Sequence, residues 1–166
     1  VEAIQASGVK HVVNLSSWGA DKSYGTGGIL GAHIVEEMLN AIEGIQLTHI
    51  RPTSFYYNLF SQIYTIKAAG MMASNYGGND VTVLVAPVDI AAAGAEEIIV
   101  PGENKIRYVA SDERSCNDIA RVLGEAIGKP DLQWILIPAE QVQRNLETAG
   151  MKKELAAAVV EIQSAH

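Results

Sequence analysis

The sequence predicts an α/β fold with a mainly parallel sheet, and three observations lead there. Strand-like runs rich in β-branched residues, such as His11-Val12-Val13-Asn14-Leu15-Ser16, alternate with helical stretches. That order builds a parallel sheet through helical crossovers. The runs end in turn chemistry, as in Ser16-Ser17-Trp18-Gly19 and Arg51-Pro52-Thr53-Ser54. Finally, 48% of the 166 residues are hydrophobic and 19% charged, with a mean hydropathy of +0.12. This is enough to bury a core and excludes wholesale disorder.

The elements follow in order. Val1 to Ser7 reads as a helix tail without an N-cap, stopped by Gly8. A strand takes up His11 to Ser16, and Asp21 to Gly28 is a polar, glycine-rich loop. The clearest helix spans Ile29 to Ile42, with Leu30, Ile34, Met38 and Ile42 on one stripe and His33, Glu37 and Asn40 opposite. Gln46 to Ile50 is the next strand, and Pro52 forces its exit to run extended. Asn58 is placed to cap a helix reaching Ala69, and Gly70 to end it. The loop Asn75 to Asp80 precedes the apolar run Val81 to Ala86, after which Asp89 would cap a helix. A strand is expected over Ile106 to Ala110. Ser115 and Asp118 then form a capping box for a helix carrying Cys116, Ile119, Ala120, Leu123 and Ile127. Gly128-Lys129-Pro130 stops it. A last strand, Trp134 to Ile137, leads to helices over about Ala139 to Ala149 and Met151 to Ala165. No internal repeat or low-complexity segment interrupts this order.

Composition removes several function classes. Twelve Lys and Arg against nineteen Asp and Glu give a net charge of −7 and a pI near 5.0, which repels a phosphate backbone. One cysteine, Cys116, excludes an internal disulfide framework and a cysteine-cluster zinc site, and it falls on the apolar side of its helix. His11, His49 and His166 have no ligand-like spacing, so no metal is expected. The apolar run Val81 to Val88 is too short to cross a bilayer, and no basic-then-apolar leader opens the chain. The expectation is a cytoplasmic domain with no nucleic-acid or membrane partner.

Three places could carry chemistry. Gly25-Thr26-Gly27-Gly28-Ile29-Leu30-Gly31 looks like a dinucleotide fingerprint, but roughly eight residues separate it from the preceding strand. A phosphate-binding turn must leave its strand directly, so this is read as a flexible surface loop. Ser16, Ser17 and Trp18 lie where a parallel strand ends, which is where open α/β sheets bind ligands. A serine there can donate to a carbonyl or an oxyanion, or merely cap the turn. Phe55, Tyr56, Tyr57 and Asn58 leave the next strand at the same edge and suit the wall of a pocket for a flat ring; core packing is an equal account of Phe55. His33 and Glu37 read as an exposed pair one helical turn apart.

Taken in order, KHVVNLSSWGA, HIVEEML, IRPTSFYYNL, VAPVDIA and RYVASDERSCNDIARVLGEAIGKP resemble the NmrA-like family of atypical short-chain dehydrogenase/reductases across essentially the whole chain. The resemblance implies part of a Rossmann-type doubly wound parallel sheet plus a small C-terminal lobe on the substrate side. Residues 1–58 would belong to the dinucleotide-binding domain and 59–166 to the lobe, with interleaved elements returning to the sheet. It implies NADP or NAD as cofactor, held by Ser16, Ser17, His33, Pro52, Thr53 and Phe55. Trp18, Tyr56, Tyr57 and Asn58 would line the substrate side.

Two departures limit the transfer. The superfamily's Tyr-x-x-x-Lys pair falls on Ile29 and His33, aligned through Glu37, fourteen residues before Arg51. The phenol is missing, and Tyr24 in the preceding loop is the substitute at hand. Ser17 and Tyr24 are thus the catalytic candidates, and a histidine in the lysine place resembles the family's quinone-reductase branch. The Gly-rich βα turn and the residue that reads the adenosine ribose have no counterpart, as though the first βαβαβ half were absent. The function expected is an NAD(P)H-dependent reductase of a quinone or similar small carbonyl compound. The alternative is a non-catalytic, redox-sensing regulator that binds NAD(P) and a protein partner. A nucleotide-sugar epimerase is weaker, because that reaction leans on the missing tyrosine. A homo-oligomer remains open.

Overall fold

The structure, a computed structural model, describes residues 1–100, 103 and 105–164. Ala165, the expected end of the last helix, and His166 lie outside the described residues. Helix α1 (Glu2–Ser7) ends at Gly8, whose φ of 70° is the left-handed turn of a helix stop. Strand β1 (His11–Leu15) leads through a loop and a 3-10 turn at Gly27–Ile29 into helix α2 (Leu30–Asn40), then strand β2 (Gln46–Pro52). The two-residue strand β3 (Ser54–Phe55) and a 3-10 segment, Tyr56–Gln62, enter helix α3 (Ile63–Ala69). Strands β4 (Met72–Ser74) and β5 (Val81–Val85), helix α4 (Pro87–Ile99), and strands β6 (Lys105–Val109) and β7 (Asp112–Ser115) follow. Helix α5 (Cys116–Ala126), strand β8 (Trp134–Leu136) and helices α6 (Ala139–Thr148) and α7 (Lys153–Ser164) complete the chain.

Strands β1, β2 and β6 form one parallel sheet, with His11 opposite Gln46 and Pro52 opposite Val109. A second sheet pairs β5 with β3 in parallel and with β7 antiparallel, and β4 pairs with β8 in parallel. The α/β class read from the sequence is therefore the class observed.

Two of the apolar clusters share strand β5. Leu84 packs with Met72, Cys116, Ile119, Ala120, Leu132 and Trp134, whereas its neighbour Val85 packs with Ile50, Ile90, Ala93 and Val109. Successive strand residues face opposite ways, so one strand serves both cores. Cys116 is fully buried, and burial pushes its thiol up to about 11, which keeps it an inert packing residue.

The capping box forms as the sequence predicts: the Asp118 amide donates to Ser115 Oγ at 3.1 Å. Ser115→Ala is expected to cost about 1 kcal/mol, read as a lower urea midpoint with an unchanged slope.

Three local expectations are corrected. Asp89 does not cap α4; Ala86 does, Pro87 opens the first turn, and Asp89 instead accepts a hydrogen bond from Ser111 Oγ. Proline at the first helical position needs no N–H partner, so the helix starts earlier than the aspartate suggests. Asn58 does not cap a helix either, because the backbone there is already 3-10 and its side chain donates to Ser54 Oγ at 3.1 Å. The largest correction concerns α2. Its Leu30, Ile34 and Met38 are exposed at 37%, 50% and 52%, while Glu36 and Leu39 are the residues it buries.

Candidate functional site

The inverted face of α2 has a physical reason in the strands beneath it. Side chains alternate along a strand, so Asn14 and Ser16 share one face of the first sheet's β1 and its extension, as do His49 and Arg51 on β2. In register, Asn14 lies opposite His49 and Arg51 opposite Tyr108. Helix α2 meets this polar surface with Glu36 and Asn40. Arg51 donates from Nε to Glu36 Oε1 at 2.9 Å and from Nη2 to Oε2 at 2.5 Å, a two-pronged pair in which both side chains are 5% exposed. Arg51 Nη1 donates to Tyr108 OH at 2.9 Å, and Asp21 Oδ1 lies 3.7 Å from the same nitrogen. Ser16 Oγ donates to Glu36 Oε1.

Burial pushes the Glu36 carboxyl up, but hydrogen bonds from Arg51 and Ser16 and the positive charge nearby prevail, so it sits below the usual glutamate range. His49 is 4% exposed. Its Nδ1 accepts from Asn14 Nδ2 and its Nε2 donates to Asn40 Oδ1, both at 3.0 Å. Burial holds this imidazole below the usual histidine value, hence neutral.

This framework fixes the strand ends where the sequence places a site. The backbone continues the ladder past Leu15: the Ser16 amide donates to the Ile50 carbonyl at 2.7 Å and the Trp18 amide to the Pro52 carbonyl at 2.9 Å. The Thr53 amide in turn donates to Val109 O at 3.1 Å. Ser16, Ser17, Trp18, Pro52 and Thr53 are thereby brought together. Thr53 is 8% exposed, and its buried Oγ1 has no hydrogen-bond partner. Ser17 Oγ donates to the Trp18 carbonyl at 3.0 Å, and Trp18 is 49% exposed.

His33 is not the exposed partner of Glu37. It is half-buried and its Nδ1 lies 2.8 Å from the Ala20 carbonyl. A carbonyl only accepts, so Nδ1 carries the proton and Nε2 is left as an acceptor.

The three aromatics after β2 separate. Phe55 packs against the Ile50–Val85 core and Tyr56 against the Met72–Trp134 core. Tyr57 turns outward, 60% exposed, stacked on Phe60 with ring centroids 5.5 Å apart, and Asn58 is exposed beside it. The expected wall of three rings is therefore reduced to one. Tyr24 is 83% exposed. Among the described residues no hydrogen bond or ring contact joins Tyr24, Tyr57 or Asn58 to the Ser16–Trp18 group.

The glycine cluster is not a free loop. A Cβ on Gly27, whose φ is +53°, would come within 2.4 Å of the Ala158 carbonyl oxygen of α7 and 2.9 Å of Ile162 Cγ1. Its glycines allow a helix to approach rather than a phosphate. Among the described residues no cluster of three or more His, Cys, Asp or Glu could hold a metal ion, and no helix is long and apolar enough to cross a membrane.

Glu36, Arg51 and Tyr108 were not singled out as site residues by sequence reasoning, although a signal exists. His33, Glu36 and Asn40 fall at i, i+3 and i+7 on one helical stripe, and His49, Arg51 and Thr53 alternate along one strand face. Two polar stripes of matching length mark a polar helix–sheet interface.

Comparison with known proteins gives a fold. No family model matches the chain, and no curated protein matches it in sequence. Solved structures do. An NADPH-dependent quinone oxidoreductase from Escherichia coli, complexed with NADPH, is 24% identical with a TM-score of 0.81, covering 96% of this chain and 56% of that one. A nucleoside-diphosphate-sugar epimerase from Staphylococcus aureus is 17% identical with a TM-score of 0.79, covering 98% and 58%. A triphenylmethane reductase from Citrobacter sp., complexed with NADP(H), is 20% identical with a TM-score of 0.74, covering 99% and 57%. The chain thus has a Rossmann-like α/β fold and spans a little over half the length of each of these structures.

Proposed function

We propose that this chain forms the nicotinamide-side part of an NAD(P)H-dependent reductase that delivers hydride to a quinone or similar small carbonyl compound. The observation that carries this reading is the Thr53 hydroxyl, buried and unpartnered at the joined carboxyl ends of β1 and β2. A buried polar atom without a partner is costly unless a ligand or water completes it. Similarity to structures solved with NADPH and NADP(H) supports the same class of group.

The residues present fit half of a dinucleotide. Thr53 Oγ1 and His33 Nε2 offer polar atoms suited to an amide and a ribose hydroxyl, and Pro52 and the Phe55 edge supply apolar surface. The glycine cluster is taken up by α7, so among the described residues it does not form a strand-linked turn for the pyrophosphate. The nicotinamide supplies the hydride when bound. The chain's residues orient: Trp18 and Tyr57 offer exposed rings to a flat substrate, and the Ser17 hydroxyl, whose proton goes to the Trp18 carbonyl, offers its oxygen as an acceptor. Ser16 cannot serve as a free donor, because its proton is committed to Glu36. A quinone reduced by hydride takes its proton from water, so the reaction does not need the tyrosine that Ile29 replaces.

One observation favours a second reading. Ser16 is tied to Glu36 and Tyr24 is exposed on its loop, so these two do not form an acid–base pair, which suits a regulator that binds NAD(P) without turnover. NAD(P)H oxidation by the full-length protein, with a panel of quinones and aldehydes, separates the two. Quinone-dependent oxidation is expected; tight cofactor binding with no turnover would leave the regulator. His33→Ala is expected to weaken cofactor affinity about threefold to tenfold by removing a ribose acceptor. Unchanged affinity would return His33 to a role in holding Ala20.

A further inference from the structure

The loop between β1 and α2 has a neck and a tip. Across the neck, a Cβ on Gly19 would lie 3.7 Å from Ile29 Cγ2 and 3.8 Å from Thr26 Cγ2, so the two ends of the loop touch. Thr26 is 3% exposed, whereas residues 21–25, with Tyr24 among them, are all exposed. A short loop whose ends meet and whose tip stands in solvent depends on what grips its neck. One grip is His33, on the Ala20 carbonyl at 2.8 Å. The other is α7.

Helix α7 crosses the neck at Gly27 and Gly28, close enough that a Cβ on either would lie 2.9 Å or 3.4 Å from the Ile162 side chain. The same turns of the helix are tied on another side to a different part of the molecule. Asn75 Nδ2 donates to the Val160 carbonyl at 3.3 Å and to Ser164 Oγ at 2.8 Å, and Ser74 Oγ donates to Gln163 Oε1 at 3.3 Å. Ser74 closes strand β4, whose partner β8 carries Trp134 of the substrate-side core. One helix therefore bridges the strand-end loop and that core.

We propose that α7 is a strap: it sets the position of the β1–α2 loop, and so of Tyr24 at its tip, through the backbone approach at Gly27, and it is itself held in place at Asn75. Nothing but glycine permits the contact, since Gly27 combines positive φ with an approach to a main-chain oxygen that cannot rotate away. Loss of the Asn75 contacts reaches the loop because Val160 and Ser164 share the same helical turns as Ala158 and Ile162, which meet Gly27. The strap holds whether or not the strand ends turn over a substrate.

Limited trypsin cleavage after Lys22, at the exposed loop tip, reads the loop, and amide hydrogen exchange over 158–164 reads the helix. In the full chain, Asn75→Ala touches no loop residue, yet it is expected to raise Lys22 cleavage about fivefold through the lost α7 bonds. Gly27→Ala is expected to accelerate both cleavage and α7 exchange. Gly25→Ala, strained at φ +74° but with open space around it, is expected to change cleavage alone. Lys22 cleavage at the unaltered rate in Asn75→Ala, or α7 exchange unmoved in Gly27→Ala, would overturn the proposal.

Discussion

Arg51→Met is expected to lower the unfolding free energy by about 3–5 kcal/mol at neutral pH, the cost of leaving a buried carboxylate without its partner. That is a large share of the roughly 5–15 kcal/mol that holds a domain folded. The pH dependence should also change sign. In the native protein Glu36 is held below its unfolded value of 4.5, so its contribution is full above that value and is lost as pH falls through the folded one. Without Arg51, burial dominates and raises the folded value above the unfolded one. Acidification from about pH 7 to pH 5 then relieves a penalty, and the variant gains stability where the native protein does not. Urea midpoints across that range measure it. Glu36→Gln added to Arg51→Met should recover part of the loss and flatten the profile; a single variant that weakens in parallel with the native protein at every pH would show that Glu36 is not buried as a charge.

Trp134→Ala is expected to cost about 3–5 kcal/mol as well, but locally. Trp134 is 4% exposed, donates from its indole nitrogen to the Tyr76 carbonyl at 2.8 Å, and meets the Tyr76 ring at 5.3 Å. A Cβ on Gly77 would stand 2.8 Å from indole Cδ1, so backbone closes on the ring and cannot easily follow its removal. The resulting cavity lies in the core that Leu84 serves, not in the one that Val85 serves. Amide exchange should quicken through β4, β8 and α5 while β1, β2 and β6 stay protected. Equal loss of protection in both sheets would mean that the two cores unfold as one.

The sequence made the backbone order legible and misled about orientation. Strand and helix positions followed from β-branched runs and glycine stops, because those act through local sterics. Strands β4 and β7 were missed: Met72–Ser74 is a three-residue pairing and Asp112–Ser115 is mostly polar, so neither has a hydrophobic period. The burial of α2 failed for the opposite reason, since its period was correct. A helix turns its apolar stripe inward only where the sheet offers an apolar surface, and Asn14, His49 and Arg51 offer hydrogen bonds instead. Ser16 to Trp18 and Pro52 to Thr53 were expected at strand ends, and their backbones do meet there. The roles of Glu36 and Tyr108 depend on partners 15 to 57 residues away from them, which spacing along one chain does not show.

Beyond Leu15 the strand-end segment is held at Ser16 by its amide and its hydroxyl, and at Trp18 by its amide alone. Every residue but proline owns such an amide. Ser17 and Trp18 can therefore be exchanged without moving the chain that bears them. The rim of this strand end is interchangeable: its main chain is a mount, and the side chains it presents can be changed there by substitution alone, with Thr53 and the Glu36–Arg51 pair left in place.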